Sequence, residues 1–159
     1  GGCYTVIDKE KEEYGLVVVF NSNLWGDYGK LKKRHRDEWS GKTHIRSKHV
    51  EAVMAHEFGH AIMECLALQK AGCLQGDRMT EEQLLIFQRS RDKIVEDIKD
   101  LCFQNMSDDE IEKRIISEVS ERAAKDPFEF IAECISDYYY GESPSIYAKI
   151  VFDALKGGF

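Results

Sequence analysis

Apolar runs near the start of the chain predict two β-strands. The segments Tyr4–Ile7 and Leu16–Phe20 are rich in β-branched and aromatic residues, and a short charged segment lies between them. This arrangement is typical of a hairpin or of two neighbouring strands. The following stretch, residues 21–48, is rich in glycine and polar residues. We therefore expect a loop there, with one further short strand near His44 and Ile45.

Beyond this loop, apolar residues recur every three or four positions, as they do on one face of an amphipathic helix. Each helical segment begins with a start signal: Ser47, the capping boxes Thr80-x-x-Gln83 and Ser107-x-x-Glu110, and the pairs Asp126-Pro127 and Ser143-Pro144. The pattern predicts about five helices, at roughly 48–70, 81–104, 108–125, 127–141 and 144–157. A small N-terminal sheet followed by about five helices is an α+β fold.

The composition narrows the class of protein. The chain has 159 residues, of which 43% are hydrophobic, so we expect a single domain over 1–159 with a real core. Its net charge of −7 argues against nucleic acid as the main partner, because the phosphate backbone attracts basic surfaces. A membrane helix typically needs an apolar run of about 18 residues, and no run in this chain approaches that length. No membrane partner is therefore expected. The opening Gly1-Gly2 suggests a domain that is part of a longer polypeptide.

One basic run stands out in this acidic chain. The segment Lys30–Arg36 contains five lysine or arginine residues within seven positions. Such runs are commonly solvated surface segments, and we interpret this one as a solvated loop. Binding of an acidic partner or substrate segment is the alternative.

The cysteines are interpreted as free thiols. Their number is odd, and no two of them have C-x-x-C spacing, which weakens both a disulfide framework and a thiolate metal site. Most are expected to be buried as small hydrophobic residues, which suits a reducing compartment such as the cytosol. The residues concerned are Cys3, Cys65, Cys73, Cys102 and Cys134.

The motif His56-Glu57-Phe58-Gly59-His60 lies inside the first predicted helix. Four residues is just over one turn, so both imidazoles project from one face and can hold one ion. Glu57 lies beside them, where it can take a proton from a metal-activated water. The alternative is a helix with two surface histidines, one of them paired with Glu57. The apolar residues that flank the motif favour the metal site, because burial of these polar groups is costly unless something pairs them.

A catalytic zinc needs a third protein ligand and one open position. In the helix predicted at 127–141, Glu133 and Asp137 are four residues apart and share a face. We expect Glu133 to be the third ligand and Asp137 to accept a hydrogen bond from a ligating histidine. A solvated acidic edge is the alternative for this pair. Glu129, one turn earlier, is the chief rival as ligand, although its position in the first turn is also explained by the helix dipole.

These motifs resemble a known group of enzymes. The H-E-F-G-H motif on one helix and the E-x-x-x-D pair on a later helix resemble the gluzincin group of zinc peptidases. The string Glu129–Glu133, preceded by Asp126-Pro127, resembles more narrowly the catalytic domain of the anthrax lethal factor family. Related domains occur in phage-borne and polymorphic bacterial toxins. The resemblance covers the two helices that carry the motifs and the preceding strand.

The resemblance implies a zincin-like fold, a Zn²⁺ cofactor and a role for each residue of the site. The implied ligands are His56, His60 and Glu133, the implied base is Glu57, and the implied orienting carboxylate is Asp137. The implied activity is endopeptidase hydrolysis of a protein or peptide substrate, which would pair in extended form with the strand nearest the motif helix. The interval between the two motif helices would then hold an inserted helical hairpin, about 80–125.

The sequence leaves two questions open: which residue stabilises the oxyanion, and whether the chain is catalytic. Many such enzymes use a tyrosine or histidine to stabilise the oxyanion, and Tyr140, seven residues after Glu133, is the candidate here; packing at the edge of the core is the alternative. The whole chain is either an endopeptidase or a non-catalytic zinc-binding interaction module derived from one. Glu57 favours the enzyme, because a structural zinc site does not need that carboxylate.

Overall fold

The protein is described by a computed structural model over residues 2–8, 13–19, 26–40, 47–73 and 78–158. Two strands, β1 (Gly2–Asp8) and β2 (Glu13–Val19), pair antiparallel. Six helices follow in this part of the chain: α1 (Tyr28–Ser40), α2 (Ala52–Lys70), α3 (Glu81–Cys102), α4 (Asp108–Glu118), α5 (Pro127–Tyr140) and α6 (Ile146–Gly157).

The α+β fold class expected from the sequence is wrong, because the described body of the protein is helical. Helices α2 to α6 and their connections supply the cluster of buried hydrophobic residues. β1 and β2 form a two-stranded ribbon, and no larger sheet exists among the residues described. Such a ribbon is only marginally stable on its own and does not constitute a layer of a fold. In the part of the chain that the structure describes, no helix is both long and apolar enough to cross a bilayer.

Helix α1 lies where the sequence predicts a loop, and that prediction is wrong. Leu31 and His35, one turn apart, are buried, whereas the basic residues around them are exposed. The Asp27 carboxylate accepts a hydrogen bond from the Lys30 backbone N–H at 3.1 Å, which satisfies one open amide of the first turn. The charged residues around these two buried positions obscure the helical periodicity, so the sequence pattern does not predict a helix here. The predicted strand near His44 lies outside the described residues.

The capping signals of α3, α4 and α5 are confirmed. Thr80 and Ser107 each form a reciprocal capping box with the residue three positions later. The Asp126 carboxylate accepts a backbone hydrogen bond at 2.7 Å at the start of α5, which has proline at its first position. α4 ends earlier than predicted, at Glu118, and a turn over 121–125 connects it to α5.

Two predicted helix starts are displaced. Ser47 does not cap α2, which begins five residues later; its buried hydroxyl donates to the carbonyl of Tyr140 at 2.6 Å. This bond ties the entry of α2 to the end of α5. At α6 the capping residue is Ser145 and not Ser143, because the Ser145 hydroxyl accepts the backbone N–H three residues ahead. At Ser47 a tertiary hydrogen bond thus engages a side chain that the local sequence predicts as a helix cap.

Helices α2 and α5 pack against each other more extensively than any other pair of described elements. Gly59 lies at their closest approach, since a Cβ placed on it would lie 2.8 Å from the Cα of Ala132. The buried Ser136 hydroxyl donates to the carbonyl of Ala52 at 2.8 Å and adds a polar tie between the same helices. A glycine between the two motif histidines therefore allows the acidic face of α5 to lie next to them.

Candidate metal centre

The two histidines of the motif lie side by side on α2. The ring centroids of His56 and His60 are 4.9 Å apart and their planes are nearly perpendicular. His56 is buried, and His60 is partly exposed at the edge of the site. Residues four apart on a helix share a face, which is why both imidazoles point towards α5.

Glu129 on α5 completes a group that could hold a metal. Its Oε2 atom is 3.2 Å from Nε2 of His56, and its Oε1 atom is 3.8 Å from Nε2 of His60. One ligand atom from each of these three residues lies within 4.8 Å of the other two. Ligand atoms around a tetrahedral zinc are separated by about 3.3 Å, given bond lengths of about 2.0–2.1 Å. The observed separations are therefore close to those of a metal site.

Glu133 lies on the other side of His56. Its Oε1 atom is 3.1 Å from Nδ1 of that imidazole, and its side chain is almost fully buried. The sequence expectation was Glu133 as ligand and Glu129 as its rival; among the described residues it is Glu129 that lies with both histidines in the group that could hold a metal. The physical reason is the way α5 crosses α2: both carboxylates share one helix face, and the crossing puts Glu129 at Nε2 and Glu133 at Nδ1. A carboxylate on the second ring nitrogen fixes the tautomer and orientation of a ligating histidine.

The electrostatics of the site are dominated by burial and by these carboxylates. Burial alone would lower the pKa of His56, but its contacts with the carboxylates of Glu129 and Glu133 outweigh burial and raise that pKa to about 9. Burial and the neighbouring His56 charge lower the pKa of His60 to about 4. Burial opposes ionisation of Glu129, yet contacts with His56 and Arg122 hold the pKa of this carboxyl well below its usual range. A divalent cation bound here would take the place of the proton on His56.

Arg122 also belongs to this group of side chains, and sequence reasoning missed it. Its Nε donates to Oε2 of Glu129 at 2.6 Å, and its Nη2 donates to Oε1 at 2.9 Å. Arg122 therefore makes a bidentate contact with this carboxylate. Hydrogen bonding to Glu129 and the charges of Glu133 and Glu57 raise the pKa of Arg122 although its partial burial opposes this. The residue precedes Glu129 by seven positions across a turn and a helix cap, so no periodic pattern links the two.

The remaining predicted site residues have different surroundings. Glu57 is buried on α2 beside His56. Asp137 is buried, and its Oδ2 accepts a hydrogen bond from the backbone N–H of Ser145 at 2.7 Å, at the start of α6. Tyr140 is eleven residues after Glu129, which is about 16 Å along the helix axis at about 1.5 Å per residue. The structure therefore does not bring Asp137 or Tyr140 into the group formed by the two histidines and Glu129.

Two imidazoles and one carboxylate on two tightly packed helices form a group that could hold a metal ion. The donor set fits, because two neutral imidazole nitrogens and one carboxylate oxygen are ligands that transition metals accept. No protein-family model, curated protein or solved structure matches this chain.

Proposed function

We propose that this domain is a zinc-dependent endopeptidase that hydrolyses peptide bonds in protein substrates. The observation that carries the proposal is the group of His56, His60 and Glu129, with Glu57 next to the first of them in the H-E-x-x-H motif. The ligands in this proposal are the three residues of that group. Glu133 orients His56 and Glu57 is the general base.

The donor set favours zinc and other transition metals over calcium and magnesium. Calcium and magnesium prefer shells made wholly of oxygen, whereas imidazole nitrogen suits zinc and other transition metals. Catalytic zinc sites typically use three protein ligands of the histidine and carboxylate type and leave one position for water or substrate. A structural zinc site usually has four protein ligands, and the described group has three.

Glu57 gives the site its proposed chemistry. When bound, zinc lowers the pKa of water and polarises a carbonyl. Glu57 accepts the proton from the water that attacks the peptide carbonyl and passes it to the leaving amine, as general acid–base catalysis requires. The buried surroundings of Glu57 and His56 limit the access of bulk water, which strengthens the electrostatic interactions within the site.

A substrate in extended form would bind beside α2. The β1–β2 ribbon contacts α2, the helix that carries the motif. A peptide that adds to a strand edge gains main-chain hydrogen bonds without regard to its sequence. In this proposal such pairing supplies affinity for a protein substrate, and the toxin-like or phage-borne setting that the resemblance implies supplies the biological context.

Metal analysis and a search for new protein termini test the proposal together. The purified protein is expected to contain one zinc per chain, or to take it up after dialysis, and to generate new termini in a peptide library or a host-cell lysate. A folded protein that binds no zinc would contradict the metal site. Stoichiometric zinc without any cleavage in library or lysate would favour the alternative, a non-catalytic zinc-binding interaction module.

A further inference from the structure

Arg122 reaches the metal centre from a fixed piece of backbone. It lies on the turn over 121–125 between α4 and α5. Ala123 is buried, and its backbone N–H donates to the hydroxyl of the buried Ser120 at 3.1 Å. The carbonyl of Arg122 itself accepts a hydrogen bond from the backbone N–H of Lys125 at 3.0 Å. The turn is thus anchored to the body, and the guanidinium is presented from a defined point.

The guanidinium of Arg122 and the two motif imidazoles all lie next to the carboxylate of Glu129. Arg122 donates one N–H to each oxygen of Glu129, at 2.6 and 2.9 Å. The same two oxygens face Nε2 of His56 and Nε2 of His60. A carboxylate oxygen has about two lone-pair directions, so an oxygen that accepts from arginine keeps one direction for another partner.

The positive charge of Arg122 limits what its contact with Glu129 can contribute to metal binding. A cation beside the site repels a divalent ion, so Arg122 is poorly placed to raise metal affinity through its charge. Its planar fork, by contrast, fixes the plane of the carboxylate, which a point charge such as lysine cannot do. A geometric role therefore explains the contact better than an electrostatic one.

We infer that Arg122 is a positioning residue that keeps Glu129 a one-oxygen ligand and so preserves an open coordination position on the metal. The inference rests on the proposed function, because it concerns the metal held by His56, His60 and Glu129. With the guanidinium bound to both oxygens, the plane of the carboxylate is fixed, and one oxygen can use its remaining lone pair towards the ion without rotation of the group. Without it, the carboxylate can rotate and offer both oxygens, and the second oxygen takes the position that water and substrate need.

Cobalt substitution measures this directly. Co²⁺ binds to the same ligands as zinc, and its visible absorption is strong in four-coordinate sites and weak when the coordination number rises. The full chain is loaded with Co²⁺ as the parent and as the variants Arg122→Gln and Arg122→Lys. Arg114→Gln is the control, because Arg114 forms an exposed ion pair with Glu118 at 2.9 Å and its loss changes the net charge equally. Circular dichroism confirms that each variant is folded.

The expected result is a weaker visible absorption in both Arg122 variants and the parent spectrum in Arg114→Gln. The lysine variant keeps the charge, so a change in its spectrum identifies the fork as the cause. With zinc, we expect kcat for a cleaved peptide to fall about 10-fold or more in both Arg122 variants while KM changes little, since removal of an interaction that acts in the transition state lowers kcat.

The other outcomes would overturn either the positioning role of Arg122 alone or the proposed function together with it. If both folded Arg122 variants keep the parent spectrum, the inference is overturned while the metal site stands. If Arg122→Lys keeps the spectrum and only Arg122→Gln loses it, charge and not the fork is what matters, and the positioning role is wrong. A parent that binds neither Co²⁺ nor Zn²⁺ overturns the proposed function and the inference with it. If Arg122→Gln fails to fold, the lysine variant alone gives the decision.

Discussion

At the scale of single residues, two glutamates one turn apart on α5 lie at different nitrogens of one imidazole. Glu129 faces Nε2 of His56, and Glu133 faces Nδ1 of the same ring. One imidazole can bind a metal through one nitrogen while its other nitrogen donates to a carboxylate. The identity of the amino acid is the same at both positions, so only geometry distinguishes ligand from orienting group.

The first prediction separates these two glutamates. Glu129→Gln removes a ligand and should abolish tight zinc binding. Glu133→Gln leaves the ligands in place and should weaken zinc affinity only about 10–100-fold, as is usual for a group that orients a ligand. Titration of zinc against a competing chelator gives both values. Asp153→Asn, which breaks the exposed pair of Asp153 with Lys149, is the matched control. A larger loss in Glu133→Gln than in Glu129→Gln would restore Glu133 as the ligand.

The second prediction concerns Glu57 and separates an enzyme from a scaffold. Glutamine has nearly the size of glutamate but cannot accept the proton of the attacking water. Glu57→Gln should bind zinc about as well as the parent, because Glu57 is not among the ligands. Its rate of peptide cleavage should fall roughly 10²–10⁴-fold, which is the usual contribution of a positioned base. Rates are compared at equal zinc occupancy, and equal rates in parent and variant would exclude Glu57 as the base.

At the scale of elements, the crossing of α2 and α5 assembles the site. The third prediction tests this at Gly59, where an added Cβ would meet the backbone of Ala132 at 2.8 Å. Backbone atoms cannot move aside as a side chain can, so Gly59→Ala should force the helices apart. We expect destabilisation of about 1–3 kcal/mol, typical of overpacking, together with loss of zinc affinity because each helix carries ligands.

Gly157 is the control for this substitution. It lies at the end of α6, and a Cβ there would meet nothing within 4 Å. Gly157→Ala should be neutral or should stabilise the protein by about 0.4–1 kcal/mol, because alanine restricts the unfolded chain. Urea denaturation of both variants gives the comparison. Equal stability of the two alanine variants would show that the close helix approach is absent in solution.

The fourth prediction uses pH to test the start of α4. The Glu110 carboxylate accepts hydrogen bonds from the backbone N–H and the hydroxyl of Ser107, at 2.9 and 2.8 Å. These bonds lower the pKa of Glu110 from its ordinary value of 4.5. A lowered folded pKa means that the stabilisation is fully present well above 4.5 and is lost as the pH falls from that value through the lower folded pKa. Glu110→Gln should therefore reduce stability relative to the parent more at pH 7 than at pH 3.

Glu112 provides the matched control for this pH experiment. It lies exposed on the same helix and carries the same charge. Glu112→Gln should show no comparable difference between the two pH values, because it takes no part in the capping box. The measurement is the shift of the urea midpoint for each variant at each pH. A similar pH dependence in both variants would mean that general charge, and not the cap, is responsible.

At the scale of the whole molecule, the metal would link two distant parts of the chain. His60 and Glu129 are 69 positions apart, and α3 and α4 lie between them in sequence. The fifth prediction follows from mass action: zinc at about 100 times its Kd should stabilise the folded state by about 2.7 kcal/mol. Thermal denaturation with zinc and with a chelator measures this. The combined variant His60→Asn with Glu129→Gln should show no difference between the two conditions.

Local sequence determined several features of this fold. The capping boxes at Thr80 and Ser107 and the Asp126-Pro127 pair predicted the starts of α3, α4 and α5, because a cap acts within one helical turn. The spacing of His56 and His60 likewise placed both imidazoles on one face, since helical geometry alone decides that. In these cases the interacting groups are three or four positions apart, and the rest of the molecule is not needed.

The tertiary structure decided everything that depends on how distant segments meet. The fold class and the displacement of Ser47 from its predicted cap both follow from contacts across the chain. The position of Glu129 beside both histidines follows from the crossing of α2 and α5, and the contact of Arg122 with Glu129 follows from the turn before α5. Helical periodicity places side chains on faces, but it contains no information about which faces meet or at what depth, and the candidate metal centre depends on that depth.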